Sequence, residues 1–223
     1  MSVAGLSLSQ LLAASLAVAA GVSIQAAVGF GLGLVAAPLL ALISPDLVPG
    51  PILLNGLIVS IAVALREHRH IDLFGLKWAL LGRLAGASLA ALLIARLPTR
   101  EAALVFGALV LAAVGLSIAG IRVDPTVPAL VGAGSLSGFM GTLTSIGGPP
   151  MAMLYQRSSG TRVRATMSGY LAVGVAVSIL ILASTGNYGQ RELARSALLL
   201  PATAIGLLVS GPARSFLDRG YTR

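Results

Sequence analysis

Long apolar runs alternate with short polar connections along this chain, and the length of each run sets the first expectations. Residues 8–28 form one apolar run, enough at about 1.5 Å per residue to cross ~30 Å of hydrocarbon as a helix. The run then meets Gly29-Phe30-Gly31-Leu32-Gly33 and continues apolar through residues 34–43. The combined stretch is too long for one straight crossing, and each of its three alternating glycines costs about 1 kcal/mol inside a helix. A broken helix or a re-entrant turn is therefore expected at Gly29–Gly33. Pro45 and Pro49-Gly50-Pro51 end the segment.

Further helices are expected at residues 52–65, 76–95 and 101–119, with Lys77 and Trp78 as interfacial anchors and Thr99 as a cap. Arg122-Val123-Asp124-Pro125 is a polar hinge between two halves of the chain. The second half opens with residues 128–142, apolar and rich in small side chains, and runs into Thr144-Ser145-Ile146-Gly147-Gly148-Pro149-Pro150. A short apolar piece, 151–155, follows, and then helices at 165–183 and 193–209, the last stopping at Gly211-Pro212. The predicted fold is all-α: a polytopic bundle of seven to eight spans with broken or re-entrant helices.

Composition narrows the setting. Hydrophobic residues make up 57% of the chain and charged ones 10%, against roughly 25% charged in a soluble domain. One soluble core cannot hide so much apolar surface, so residues 1–223 read as a single membrane domain. The net charge of +8 sits almost entirely in the connections, where topology and anionic head groups place it. With aromatics at 4%, few stacking platforms exist for nucleic acid, and no nucleic-acid partner is expected. Cysteine is absent, which removes disulfides and thiolate metal sites. His68 and His70 share a charged connection and read as a solvated loop rather than a metal pair. No cofactor is expected. Residues 1–28 lack the basic start of a secretory signal, so they are read as a retained first helix.

The halves share a layout. Residues 1–120 and 126–223 each begin with an apolar helix, a glycine-rich break, a short apolar piece and then a full helix. The second half is one helix short, as though cut. Duplicated halves with breaks at matching positions mark the binding site of a secondary transporter. Backbone groups freed by a break must face protein or a wet cavity, and the N-terminus of the following half-helix suits an anion.

Two stretches carry a family resemblance: Gly29-Phe30-Gly31-Leu32-Gly33-Leu34-Val35-Ala36-Ala37-Pro38-Leu39-Leu40, and Gly138-Phe139-Met140-Gly141 through Ser145-Ile146-Gly147-Gly148-Pro149-Pro150. With the basic connection at residues 66–70 and the small-residue helix at 82–91, the sequence resembles the sulfite exporter TauE/SafE family of membrane permeases. The resemblance implies a multi-pass protein of the bacterial inner membrane that moves sulfite, sulfonates or related anions. Members usually have about eight helices and often more glycine in the second motif, where this chain has Thr144-Ser145 and Pro149-Pro150.

The candidate substrate-binding residues follow from these patterns. Gly29, Gly31 and Gly33 allow backbone to approach an anion, or allow helices to pack tightly. Thr144, Ser145, Gly147 and Gly148 offer hydroxyls and amides, or satisfy freed carbonyls locally. Gln25 and Asn55 are amides inside apolar segments, open to ligand contact or inter-helix bonding. Arg83, two turns into its helix, either meets the anion or snorkels to the interface.

All seven acids (Asp46, Glu67, Asp72, Glu101, Asp124, Glu192 and Asp218) fall in connections or at helix ends. None is placed as a proton relay or sodium ligand, which leaves the membrane potential to drive anion export. An enzyme is not expected, because Ser145 has no base or acid partner in the apolar segments. The expected partners are a small anionic substrate and the bilayer, with a homodimer left open. A permease for other small organic anions and a non-transporting membrane component are the competing readings.

Overall fold

The protein, seen in a computed structural model, is described over residues 2–3, 5–120 and 123–220. Among these residues the chain forms α1 (Leu8–Val28), α2 (Leu32–Ile43), α3 (Gly50–Glu67), α4 (Leu73–Ile94), α5 (Thr99–Ile118), α6 (Val127–Thr144), α7 (Gly148–Ala152), α8 (Gly160–Ser184) and α9 (Gln190–Gly220). Two-residue strands at Ser2–Val3 and Leu6–Ser7 pair antiparallel ahead of α1. Seven helices are long and apolar enough to cross a membrane; α2 and α7 are not. This is the polytopic all-α bundle expected.

Caps set the starts of the long helices. Ser7 and Gln10 form a reciprocal capping box at α1. Asp72 Oδ1 accepts the Gly75 amide at α4, and Ser159 Oγ accepts the Arg162 amide at α8. At α5, Pro98 occupies the cap position and Thr99 is the first helical residue, so the expected Thr99 cap is displaced by one. Polar residues within the hinge reach across it: Asp124 pairs with Arg157 at 3.0 Å. Arg122, the other charge expected there, lies outside the described residues.

Both breaks are reversals rather than interruptions of a straight helix. Gly29 closes α1 in the left-handed region at φ 102°, and Gly31 holds φ 134° before α2 begins, backbone that glycine supplies without a Cβ penalty. α2 then folds back along α1, and Gln10 at the start of α1 donates to the carbonyl of Ile43 at the end of α2 (3.1 Å). The second break turns at Ser145, φ 64°, and the returning arm through α7 brings Arg157 back beside Asp124, just before α6. The face on which α1 begins is here the first face. α3 runs from it to the second face, where Arg66 reaches the Ala26 carbonyl at the end of α1 (3.3 Å).

Small residues are frequent in the interior, where Ala, Gly, Val and Ser stand beside buried leucines such as Leu32 and Leu40, while other leucines such as Leu16, Leu42 and Leu208 point outward. Lipid is as apolar as leucine, so helices associate through close backbone approach. α4 and α6 show this most clearly: a Cβ on Gly82 would collide with the Val131 carbonyl, one on Gly86 with Ser135, and one on Gly134 with Ala79. α9 lies on α1 in the same manner, with a Cβ on Gly206 only 2.6 Å from the Ala19 oxygen. α5 stands apart, burying Ala113 alone among its described side chains.

One expectation fails at the C-terminal end. α9 does not stop at Gly211-Pro212 but continues through Pro212 to Gly220. Proline removes one backbone donor, which a helix at a membrane boundary tolerates when water or side chains cover the freed carbonyl. Beyond the proline, Arg214 reaches Glu67 at 3.7 Å, a contact that ties this end to α3.

Close packing of α4 on α6 yields a paired test. Gly86→Leu drives a side chain into the Ser135 carbonyl, whereas Gly107→Leu on α5 meets nothing within 4 Å. The first substitution lowers the melting temperature in detergent or abolishes a monodisperse peak, by roughly 2–4 kcal/mol of lost stability. The second leaves both unchanged.

Candidate functional site

The two reversals meet inside the bundle. Gly33, in the first turn of α2, packs so closely on Ser145 and Ile146 that a Cβ would collide with the Ser145 carbonyl. A Cβ on Gly148, at the start of α7, would lie 2.7 Å from the ring of Phe30 in the first break. Each tip therefore rests on the other. Between them lies a cavity of about 30 Å³, closed by α3 and α8 through Ile52, Gly56, Ser60, Leu171 and Val175. About 10–15 Å³ suffices for one water, so this space has room for about two waters and nothing larger.

Of the residues expected to bind substrate, Gln25, Gly31, Gly33, Ser145, Gly147 and Gly148 line this cavity. Gln25 is buried and fully used. Its Oε1 accepts the Leu32 amide (3.2 Å), and its Nε2 donates to Ser60 Oγ (2.9 Å) and the Gly56 carbonyl (3.4 Å). It thus caps α2 from α1 and ties both to α3. Ser145 Oγ donates to the Pro49 carbonyl at 3.1 Å. Helix geometry leaves first-turn amides without an intrahelical acceptor. At α2 these are Leu32, held by Gln25, and Gly33 and Leu34, which line the cavity. At α7, Pro149 and Pro150 have no N–H, so Gly148 is the donor of the first turn.

The remaining candidates stand elsewhere. Gly29 lies against the α8 backbone, where a Cβ would be 2.7 Å from Arg164 Cα. Asn55 bonds to the Ser196 carbonyl (3.4 Å) and accepts from Thr203 Oγ1 (2.6 Å), joining α3 to α9. Thr144 donates to the Met140 carbonyl (2.7 Å) and accepts the Ile146 amide (3.2 Å), so its hydroxyl holds the turn together. Arg83 does not snorkel. It is 1% exposed, midway along α4, and donates to Ser137 Oγ and Ser178 Oγ at 3.3 Å each. Its guanidinium stands 5.1 Å from the Tyr170 ring centre, a cation–π arrangement. Gly147 separates it from the cavity.

Sequence reasoning missed Ser60, Ser137, Thr142 and Ser178. Ser137 donates to the Gly147 carbonyl and so holds the second tip; Thr142 shares a 2.8 Å hydrogen bond with Ser178. The available signal was their placement inside apolar helices, since hydroxyls there must bond something. Helices also accept them cheaply, because serine bonds back to the preceding turn, as Ser60 does to Gly56.

Ion pairs seal the second face. Arg164 Nε meets both Glu67 oxygens (2.7 and 2.8 Å), and Arg66 and Arg214 reach the same carboxylate. Arg164 and Arg66 also donate to the Ala27 and Ala26 carbonyls at the C-terminus of α1, where cations offset the helix dipole. Beside them, Asp72 accepts from Tyr155 Oη and pairs with Arg162, both at 3.3 Å. Burial, aided by the Asp72 carboxylate, pushes the Tyr155 phenol upward, so it remains a donor. On the first face Arg195 pairs with Asp46 at 2.8 Å, beside a polar crevice of about 250 Å³. Among the described residues no group of three or more His, Cys, Asp or Glu side chains is placed to hold a metal.

The sequence model of one family, described as Sulfite exporter TauE/SafE, matches residues 13–223. No curated protein and no solved structure matches the chain.

Removing the shared carboxylate tests the seal. Glu67→Gln leaves three guanidinium groups facing a neutral amide. Breaking a buried pair costs about 3–5 kcal/mol, so the melting temperature of the purified protein falls by several degrees. Arg157→Gln, whose partner Asp124 is exposed, shifts it little.

Proposed function

The chain belongs to the sulfite exporter TauE/SafE family, and from that premise we propose that it exports sulfite or organosulfonate anions across a bacterial inner membrane, driven by the membrane potential. The carrying observation is the cavity at the crossing of the two reversed tips. Gly33, Leu34 and Gly148 line it, and first-turn amides of this kind are donors that an anion can complete. Gln25, Gly31, Gly33, Ser145, Gly147 and Gly148 form the proposed inner site, and Thr144 and Asn55 support it from outside.

The same reading makes residues 1–120 and 126–223 two copies of one unit, inserted in opposite directions. Several packing relations support it. α4 lies on α6 while α9 lies on α1, so each unit's fourth helix clasps the other's first. α3 meets α8 between them, and α1 and α6 start from opposite faces. Inverted repeats of this kind place the substrate where the units meet.

Charge supports an orientation. Arg66, Arg69, Lys77, Arg157, Arg162, Arg164 and Arg214 cluster toward the second face, against Arg96, Arg100, Arg191 and Arg195 toward the first. Cytoplasmic loops carry the excess of basic residues, so the second face is cytoplasmic. The absence of cysteine allows a clean test. In intact cells a membrane-impermeant thiol reagent labels Asn187→Cys, and it labels His70→Cys only after permeabilisation. The opposite pattern reverses the assignment.

None of the cavity-lining residues is acidic, so transport proceeds without a buried carboxylate coupling a proton or sodium. A potential of 100 mV supplies about 2.3 kcal/mol per charge, equivalent to a roughly 50-fold gradient of a monoanion. Proteoliposomes loaded with sulfite release it faster as an imposed inside-negative potential rises. Efflux that ignored the potential and followed an imposed pH gradient would overturn the drive; no flux of any sulfur oxyanion would overturn the function.

A further inference from the structure

α5 leaves a space against the bundle that the described side chains do not fill. Between its first turns and the ends of α2, α4 and α6 lies a crevice of about 380 Å³, the size of a small-molecule pocket. Ala41, Val48, Ile94, Ala103, Phe106 and Leu143 are among its walls, and every side chain that lines it is apolar. A space of this kind offers water no partners. It shares Pro45, Val48, Pro49 and Ile94 with the polar crevice of the first face, so the two adjoin as one cleft. An occupant that matches both parts is an amphiphile.

The charges nearby specify its head. Arg96 and Arg100 stand in the connection from α4 to α5, interleaved along the chain with the wall residues Ile94, Leu97 and Ala102. Both are exposed, and among the described residues neither has an ion pair. α5 also starts without a side-chain cap, which leaves its first-turn amides open as donors. Guanidinium groups and helix N-termini both suit a phosphate. Glu101 is the acid that follows, so two cations face one carboxylate. In the polar crevice Asp46 is paired with Arg195, and Glu192 accepts the Gly189 amide at 2.8 Å. Both carboxylates there are already engaged, which disfavours a head that carries an ammonium group.

We propose that this cleft binds one anionic phospholipid of the surrounding bilayer. An acyl chain fills the apolar part against Phe106 and Leu143, and the phosphate lies at Arg96 and Arg100. A hydroxylated head, such as glycerol, extends over Pro45 and Pro49 into the polar crevice. The lipid completes the packing of α5 on the bundle. Because the Pro49 carbonyl accepts the Ser145 hydroxyl, it also supports the second tip. This site is independent of which anion is transported.

Full-length protein, stripped of lipid in a maltoside detergent, is heated with phosphatidylglycerol, phosphatidylethanolamine or phosphatidylcholine of identical chains. Phosphatidylglycerol raises the melting temperature saturably, by roughly 5 °C, and the other two raise it much less. Native mass spectrometry finds one phosphatidylglycerol per chain. Arg96→Gln combined with Arg100→Gln removes the phosphatidylglycerol advantage without lowering the lipid-free melting temperature, since both side chains are exposed. Ala103→Phe, which fills the apolar part, displaces the lipid. Equal shifts from all three lipids, or an advantage that survives the double substitution, overturns the proposal. A lipid-free dimer that Ala103→Phe dissociates overturns it too, with a second copy as the occupant. Should Ala103→Phe not fold, the lipid series and the double arginine variant decide the matter.

Discussion

Hydrocarbon gives a backbone amide nothing to bond, and each unsatisfied group there costs several kcal/mol. A helix that crosses without interruption meets this condition by itself; one that turns around inside the membrane does not. In this protein each reversal frees its end-groups at a place where another part of the chain receives them. Gln25 accepts the Leu32 amide, Thr144 accepts that of Ile146, and Ser137 reaches the Gly147 carbonyl. Gln25, Ser137 and Thr144 thus serve the turns, where the backbone leaves its own ladder, while Asn55, Ser196 and Thr203 join α3 to α9.

Contact between the turns also calls for small residues. Two reversed tips can rest on each other only if Gly33 and Gly148 have no side chains. They are held in place by helices that approach as closely, α6 on α4 and α1 on α9. Removing side-chain bulk brings backbone within van der Waals contact of backbone, the main source of helix affinity in lipid. Many of the other leucines, such as Leu16 and Leu208, lie on the outer surface.

What the sequence disclosed divides along physical lines. The positions of both turns were legible, since Gly29, Gly31, Gly33, Gly147 and Pro149 are local punctuation whose cost in a helix does not depend on distant contacts. Their direction was open, because a turn and a break share the same residues; the 3.1 Å bond from Gln10 to Ile43 decides it. Which candidates converge was also hidden. Gly29 and Gly31 are two residues apart, yet one packs on α8 and the other borders the cavity. Asn55 and Gln25 are both buried amides, but the rotation of α3 directs Asn55 to α9. Such outcomes depend on how helices pair across more than 100 residues, information that periodicity does not carry. The run of α9 through Pro212 belongs to the same class, since Arg214 at its far end reaches Glu67.

The cavity is too small for its proposed occupant, and the distribution of bonds between the faces indicates how it opens. Each reversed arm is held by a neighbour: the first by α1 through Gln10 and Gln25, the second by α6 through Ser137. α1 is bound in turn to α9 and α6 to α4. Two bodies result, each a tip with two long helices, meeting chiefly along α3 and α8. On the second face they are joined by Glu67 and Asp72, each shared by several partners from α3, α8, the arm after α7, and α9. On the first face the half-buried Arg195 pairs with the exposed Asp46, and Ser145 bonds to Pro49, next to a polar crevice. Exposed pairs contribute little against water, whereas buried shared ones resist separation. Among the described residues Glu67 is the one buried carboxylate in an ion pair, so parting the helices on the second face breaks the costlier contact.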